Sequence, residues 1–236
     1  MTDVAAPCGL LVIDKPRGPT SMDVCRIVRG KLRAGGAPKR IKVGHGGTLD
    51  PLATGVLIVL VGRATKLCDQ IMQSSKRYHA VVDLSAFTTT DDAEGEREDV
   101  GVEEPPSRER IEGQLAAFVG EIEQAPPAFS AIKVEGRRAY KLARAGAAPE
   151  LPARRVRIDG IEIVEYDFPR LALDVRCGKG VYIRSLARDI GKRLGTGGTL
   201  ASLCRTEVGR WTLADAVALR DLPDPLRAVD LMAAPG

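Results

Sequence analysis

Hydrophobic positions along the chain fall into segments whose spacing predicts an element each. "GLLVIDKP", Gly9 to Pro16, is a nearly continuous apolar run ended by proline, which predicts a short buried strand. Thr20-Ser-Met-Asp23 has the pattern of a capping box, and Val24, Ile27, Val28 and Leu32 follow at helical spacing. Val56 to Val61 is apolar throughout and fits a fully buried strand or a short helix. "RYHAVVDLSAF" alternates, with Tyr78, Ala80, Val82, Leu84 and Ala86 on one face of a strand. Ser107 opens a helix with Ile111, Leu115, Phe118 and Val119 inward and Gly120 as its stop. "VRIDGIEIVEY" and "RLALDVRC" read as two strands, the second alternating at Leu171, Leu173, Val175 and Cys177. "GKGVYIRSLARDIGKRLG" turns from strand into a helix that buries Leu186, Ile190 and Leu194. Strands and helices mix without regular alternation, so the fold class is α+β with a mixed, mostly antiparallel sheet.

Composition narrows the class. At 236 residues and 44% hydrophobic, the chain can bury a real core and is neither disordered nor a membrane protein. The Val56–Val61 run is far short of the roughly 20 residues of a spanning helix. The first residues lack the basic and apolar regions of a secretory signal. Five scattered cysteines without a C-x-x-C pair fit reduced thiols and a cytoplasmic location, not a disulfide framework or zinc site.

The net charge of +4 is unevenly spread. Val24 to Leu49 holds seven Lys/Arg and no acid, Lys133 to Arg157 eight against two, and Arg176 to Arg193 six against one. Asp91 to Glu104, with eight acids and one arginine, reads as an acidic surface loop. A single run would be a solvated face, but three basic blocks with most acids elsewhere fit a polyanion such as nucleic acid. The stretch "QAPPAFSAIKVEGRRAYKLARAGAAPE" mixes proline, glycine and basic residues and reads as an extended, exposed element.

Common catalytic motifs are missing: no G-x-G-x-x-G, no P-loop, no H-E-x-x-H, no G-x-S-x-G, and only two histidines. What stands out is the glycine-rich "GHGGTLDPLATG", Gly44 to Gly55, with Asp50 followed by proline. An isolated Asp-Pro is usually a turn; here it is also a candidate for a carboxylate held out for chemistry.

That loop, with "DKPRGPTS", "KRY", "PPAFSAIKVEGRRAYKLARAG" and "CGKGVYIRSLARDIG", resembles the TruB family of tRNA pseudouridine-55 synthases, in family order from about Gly9 to Trp211. The resemblance implies a pseudouridine synthase fold, with helices flanking a central sheet and an active-site cleft. It implies isomerisation of uridine to pseudouridine in the tRNA T-arm, by a monomer needing no metal, cofactor or obligate protein partner. By the same resemblance Asp50 is the catalytic aspartate, as nucleophile on the sugar or as base. Arg184 is the arginine that pairs with it, and Tyr78 stacks on the target base and is a candidate for handling the C5 proton. His45 is assigned to holding the flipped-out RNA, Tyr182 and Leu203 to the base pocket, and Lys15 of "DKP" to shaping the substrate site.

The expected organisation is a catalytic domain over 9–219, with an RNA-gripping insertion at about 124–157 and a short tail over 220–236 in place of the family's usual RNA-binding PUA domain. Phe129 stands where the family commonly has tyrosine, and Cys204 and Glu207 where it is usually more basic. "DPLATGVL" resembles the stand-alone bacterial form more than the guide-RNA-dependent relative.

Overall fold

The computed structural model describes residues 7–130, 133–134, 137–138 and 151–234. The chain divides into two compact units, one of residues 1–77 and 204–236 and one of residues 78–203. Among the described residues no helix is long and apolar enough to cross a membrane.

In the first unit, β1 (Gly9–Lys15) pairs antiparallel with β3 (Thr54–Val61) over its whole length, from Gly9 opposite Val61 to Lys15 opposite Gly55. The ambiguous apolar run is therefore a strand. It is buried on both faces, which is why its sequence does not alternate. β2 (Val43–His45) lies antiparallel along the end of β3, and β12 (Thr199–Val208) joins β3 in parallel at Cys204 and Arg205. β13 (Trp211–Thr212) turns back on β12, and β14 (Val217–Ala218) runs parallel to β1. Leu10, Val12, Val56, Ile58, Leu60, Ile71, Val208 and Trp211 form the core.

α1 (Ser21–Ala34) carries the expected Thr20–Asp23 capping box. Its buried stripe is Ser21, Val24, Cys25, Val28 and Leu32, while Ile27 is 39% exposed. At 3.6 residues per turn Ile27 lies about 115° from the centre of that stripe, whereas Cys25 is about 45° from it. α2 (Cys68–Gln73) closes the far side of β3 through Ile71. The stretch expected as a tail is packed. Leu222 and Leu226 are buried, and Met232 exchanges two backbone hydrogen bonds with Leu10, at 3.0 and 2.9 Å.

In the second unit the strand order is β4 (Lys76–Asp83), β11 (Arg170–Cys177), β10 (Arg154–Asp167) and β7 (Gly120–Gln124), with β10 antiparallel to both neighbours. β5 (Ala86–Thr88) and β6 (Arg97–Asp99) form a small hairpin. β8 (Lys133–Val134) and β9 (Arg137–Arg138) pair antiparallel inside the expected insertion, whose other residues from 131 to 150 lie outside the described residues.

α3 (Arg108–Leu115) and α4 (Ile183–Leu194) cover a core of Ala80, Val82, Leu84, Leu171, Leu173, Val175, Cys177, Leu186, Ile190 and Leu194, as the alternation and helical spacing predict. α3 ends one turn earlier than its pattern suggests. After Leu115 it tightens into a 3-10 turn over Ala116–Phe118, and the tighter pitch swings Val119 out to 44% exposure.

Two other expectations are corrected in this unit. The acidic run is not wholly a surface loop, because Asp92 is buried and Asp91 turns inward with it. The start of the proline-rich stretch is not exposed either, since Gln124, Pro126, Pro127 and Ser130 are buried. Both segments carry polar groups that α4 satisfies, and that pulls them in.

Candidate active site

The first unit builds the Asp50 loop. Asp50 is half-buried, set between the buried Leu49 and Leu52, and its carbonyl accepts the turn-closing hydrogen bond from Ala53 N at 3.1 Å. Lys15 leaves β1 with its side chain wholly enclosed, and its ammonium donates to the carbonyls of Ala53 (2.7 Å), Pro16 (2.9 Å) and Pro51 (3.4 Å). Assigned from the sequence to the substrate site, Lys15 here braces the loop. Ser21, in the first turn of α1, fixes Leu49 from both sides, donating to its carbonyl at 2.9 Å and accepting from its amide at 2.8 Å. Gly18 N holds the carbonyl of Pro51 at 2.8 Å.

From β12, the buried guanidinium of Arg205 spans the other side of the loop. It donates to the carbonyls of Val56 (2.8 Å), Gly47 (3.1 Å) and Thr48 (3.2 Å). Both flanks of Asp50 are thus held by buried cations on backbone carbonyls, a strong, charge-assisted form of hydrogen bonding. Gly55 has a φ of +98°, and a Cβ there would overlap the backbone carbonyl of Arg205, so only glycine permits the close approach. His45 sits in β2 with Nδ1 buried and unpaired among the described residues. Burial, with the nearby Arg205 charge adding to it, pushes its pKa down and keeps the imidazole neutral.

The second unit holds the other site residues. Tyr78 and Leu203 are half-buried and pack against its core. Tyr182 is the N-cap of α4. Its backbone is held by the buried Gln124, whose amide donates to Tyr182 O at 3.1 Å and accepts from Tyr182 N at 2.8 Å. The Arg154 guanidinium lies 5.2 Å from the Tyr182 ring centroid, a cation–π contact. Arg184 follows in the first turn of α4, a poor place for a cation against the helix dipole. An ion pair with Asp92 at 3.4 Å offsets that, and the guanidinium also donates to Phe129 O (3.0 Å) and Thr90 O (3.2 Å). Because the bond at Phe129 uses its carbonyl, the absent tyrosine hydroxyl does not affect it.

Asp50, His45 and Lys15 therefore belong to one unit, and Tyr78, Tyr182, Arg184 and Leu203 to the other. Arg205, Ser21, Gln124 and Asp92 were missed from the sequence. Local pattern holds no signal for the first three. For Asp92 the only cue is its place at the head of an acidic run, where seven other acids compete.

A family model described as TruB family pseudouridylate synthase, N-terminal domain, matches residues 36–183, and one described as tRNA pseudouridylate synthase B C-terminal domain matches 184–230. The tRNA pseudouridine synthase B of Parabacteroides distasonis is 47% identical over 215 residues, covering 91% of this chain and 92% of that protein. The protein of the same name from a Mycobacterium strain is 47% identical over 226 residues, covering 93% of this chain and 73% of the relative. Among solved structures, a chain of a Cbf5-Nop10-Gar1 complex superposes with a TM-score of 0.69 at 28% identity over 94% of this chain. A chain of an H/ACA RNP bound to a substrate RNA containing 2′-deoxyuridine does so with a TM-score of 0.66 at 27% identity over 91% of this chain. The chain spans 59% and 52% of the length of those two chains.

Proposed function

The chain belongs to the TruB family of pseudouridylate synthases, and on that premise we propose that it converts the uridine at position 55 of the tRNA T-loop to pseudouridine. The observation that carries this reading is the bracing of the Asp50 loop. Lys15, Ser21 and Arg205 are all buried, and their polar groups are directed at the backbone on either side of one half-buried carboxylate. Such preorganisation costs buried charge and is what a reacting carboxylate requires.

In the net reaction the C1′–N1 bond breaks, the uracil turns, and a C1′–C5 bond forms. C5 loses its proton and N1 gains one, so no oxidant, reductant or co-reactant is consumed. Asp50 acts on the sugar, with Tyr78 and Arg184 completing the catalytic set. His45 holds the flipped-out RNA, and Tyr182 and Leu203 line the pocket for the base, which is extruded from the T-loop at a cost of about a few kcal/mol. Stacking on aromatic rings offsets that cost, and the Arg154–Tyr182 pair is an example of the aromatic–cation surface it needs. The segment at about 124–157 grips the T-arm. The protein acts as a cytoplasmic monomer without a guide RNA, protein partner, metal or cofactor.

The test is single-turnover tritium release from C5-labelled uridine in an unmodified tRNA transcript, with wild type and Asp50→Asn compared at equal tRNA binding. Release by wild type alone is expected. Binding without release by either protein would instead make this an RNA-binding or RNA-folding module.

A further inference from the structure

Arg184 and Arg188 stand one turn apart on the same face of α4 and reach the same two chain segments. Arg184 pairs with Asp92 and bonds Thr90 O and Phe129 O. Arg188 pairs with Asp91 at 2.8 Å and bonds Ala125 O at 3.1 Å, and its Nε donates to Asp189 at 2.9 Å. The turn at residues 90–92 and the segment at 125–129 are each stapled twice, once by each arginine. Ser185 adds a third bond to the second segment, donating to Ala125 O at 2.8 Å.

The turn is shaped for this double grip. Neighbouring side chains on an extended backbone point to opposite sides, so two consecutive aspartates would not ordinarily both face one helix. Asp91 has a φ of +61°, the left-handed region that aspartate is among the few non-glycine residues to tolerate. That residue breaks the alternation and lets both carboxylates meet guanidiniums on α4. Main-chain bonds between the turn and Leu200, Leu200 N to Asp91 O at 3.0 Å and Ala93 N to Leu200 O at 3.1 Å, hold the conformation. The Asp91 carboxyl is pushed up by burial, partly offset by the charges of Arg188 and Arg184.

We propose that Arg188 is a positioning residue for Arg184: by holding Asp91 and the carbonyl of Ala125, it locks both segments that orient the Arg184 guanidinium. In this role the effect of Arg188 passes through the 90–92 turn and the 125–129 segment. The inference rests on the pseudouridine synthase reading.

The experiment uses the full chain and an unmodified tRNA transcript, with three readouts: single-turnover C5-tritium release, tRNA affinity by filter binding, and a thermal melt confirming that each variant is folded at the assay temperature. Arg188→Gln is expected to slow release about 10- to 100-fold, the scale of a small misplacement of a catalytic group. Its tRNA affinity should stay within about twofold, which separates the reaction step from binding. Adding Asp91→Asn to Arg188→Gln removes the uncompensated carboxylate and keeps a side chain that tolerates the left-handed backbone, so most of the rate returns.

A wild-type rate in folded Arg188→Gln, loss of affinity in step with rate, or no recovery in the double variant would overturn the proposal. Should Arg188→Gln fail to fold, Arg188→Lys serves. It keeps a cation for Asp91 but loses the planar fork that also reaches Ala125, and is expected to be about tenfold slow. A wild-type rate there would overturn the proposal as well. Wild-type protein that releases no tritium would overturn the functional reading instead, and the two failures are therefore distinct.

Discussion

Arg184 and Asp92 form an ion pair at 3.4 Å with side chains only 7% and 5% exposed, so two opposite charges are buried together. Asp92 also accepts from Thr90 Oγ1 at 2.6 Å and Glu94 N at 3.1 Å, which fixes the carboxylate before it meets the guanidinium. Arg184 is consequently held from below by a carboxylate 92 positions away in the chain.

Removing that carboxylate should be costly. Asp92→Ala is expected to destabilise the protein by about 3–5 kcal/mol in urea denaturation, because it breaks a buried ion pair by removing one partner and takes away the acceptor of Thr90 Oγ1 and Glu94 N. Asp99→Ala breaks an exposed pair with Arg97 and should cost about 0–1 kcal/mol. Equal costs for the two would mean that the buried pair contributes no more to stability than the exposed one.

Lys15→Met keeps the length and apolar stem of the side chain but leaves the carbonyls of Ala53, Pro16 and Pro51 without their cation. A stability loss of about 1–3 kcal/mol is expected. The tritium-release rate should fall about 10- to 100-fold with tRNA affinity retained, since the loop carrying Asp50 loses one of its two cationic braces. A variant that loses affinity but keeps its rate would assign Lys15 to substrate binding instead.

Gly55→Ala faces both a positive φ and a backbone carbonyl that cannot move aside as a side chain could. The expected cost is about 3 kcal/mol or more, read as a drop in melting temperature. Gly30→Ala, at an exposed helical position with open space around it, should be neutral or stabilising.

His45 gives the stability a defined pH dependence. Its folded-state pKa lies below the ordinary value of 6.5, so near and below that pH the unfolded chain binds more protons than the folded one. Stability from this group is full above 6.5 and is lost as pH falls through 6.5 toward the lowered folded value. Melting temperatures at pH 7.5 and 5.5 should therefore differ less in His45→Phe than in wild type. An unchanged difference would show that His45 is not the titrating group.

Much of the fold was legible because its signals are local. The alternation from Tyr78 to Val82, the Thr20–Asp23 capping box and the spacing of Leu186, Ile190 and Leu194 depend on neighbours within a turn or two, and each appears as read, although the strand stops at Asp83 and Ala86 opens a separate one. Val56–Val61 needed more, since an apolar run has no period. Only strands β1 and β2 alongside it decide that it is a strand. Ile27 and Val119 were misplaced for local reasons, a stripe centred one residue over and a helix that tightened early.

The site divides in the same way. By itself the sequence determined which residue types the chain carries in motif order: Asp50 in its glycine-rich loop, Tyr78 after a basic pair, Tyr182 and Arg184 at the head of a helix. Tertiary structure alone decided what holds them. Arg205 reaches Gly47 across 158 positions, and Asp92 rather than any other acid of its run turns inward to Arg184. A buried charge must find a partner wherever the fold provides one, and that choice depends on which segments packing brings together, not on spacing along the chain.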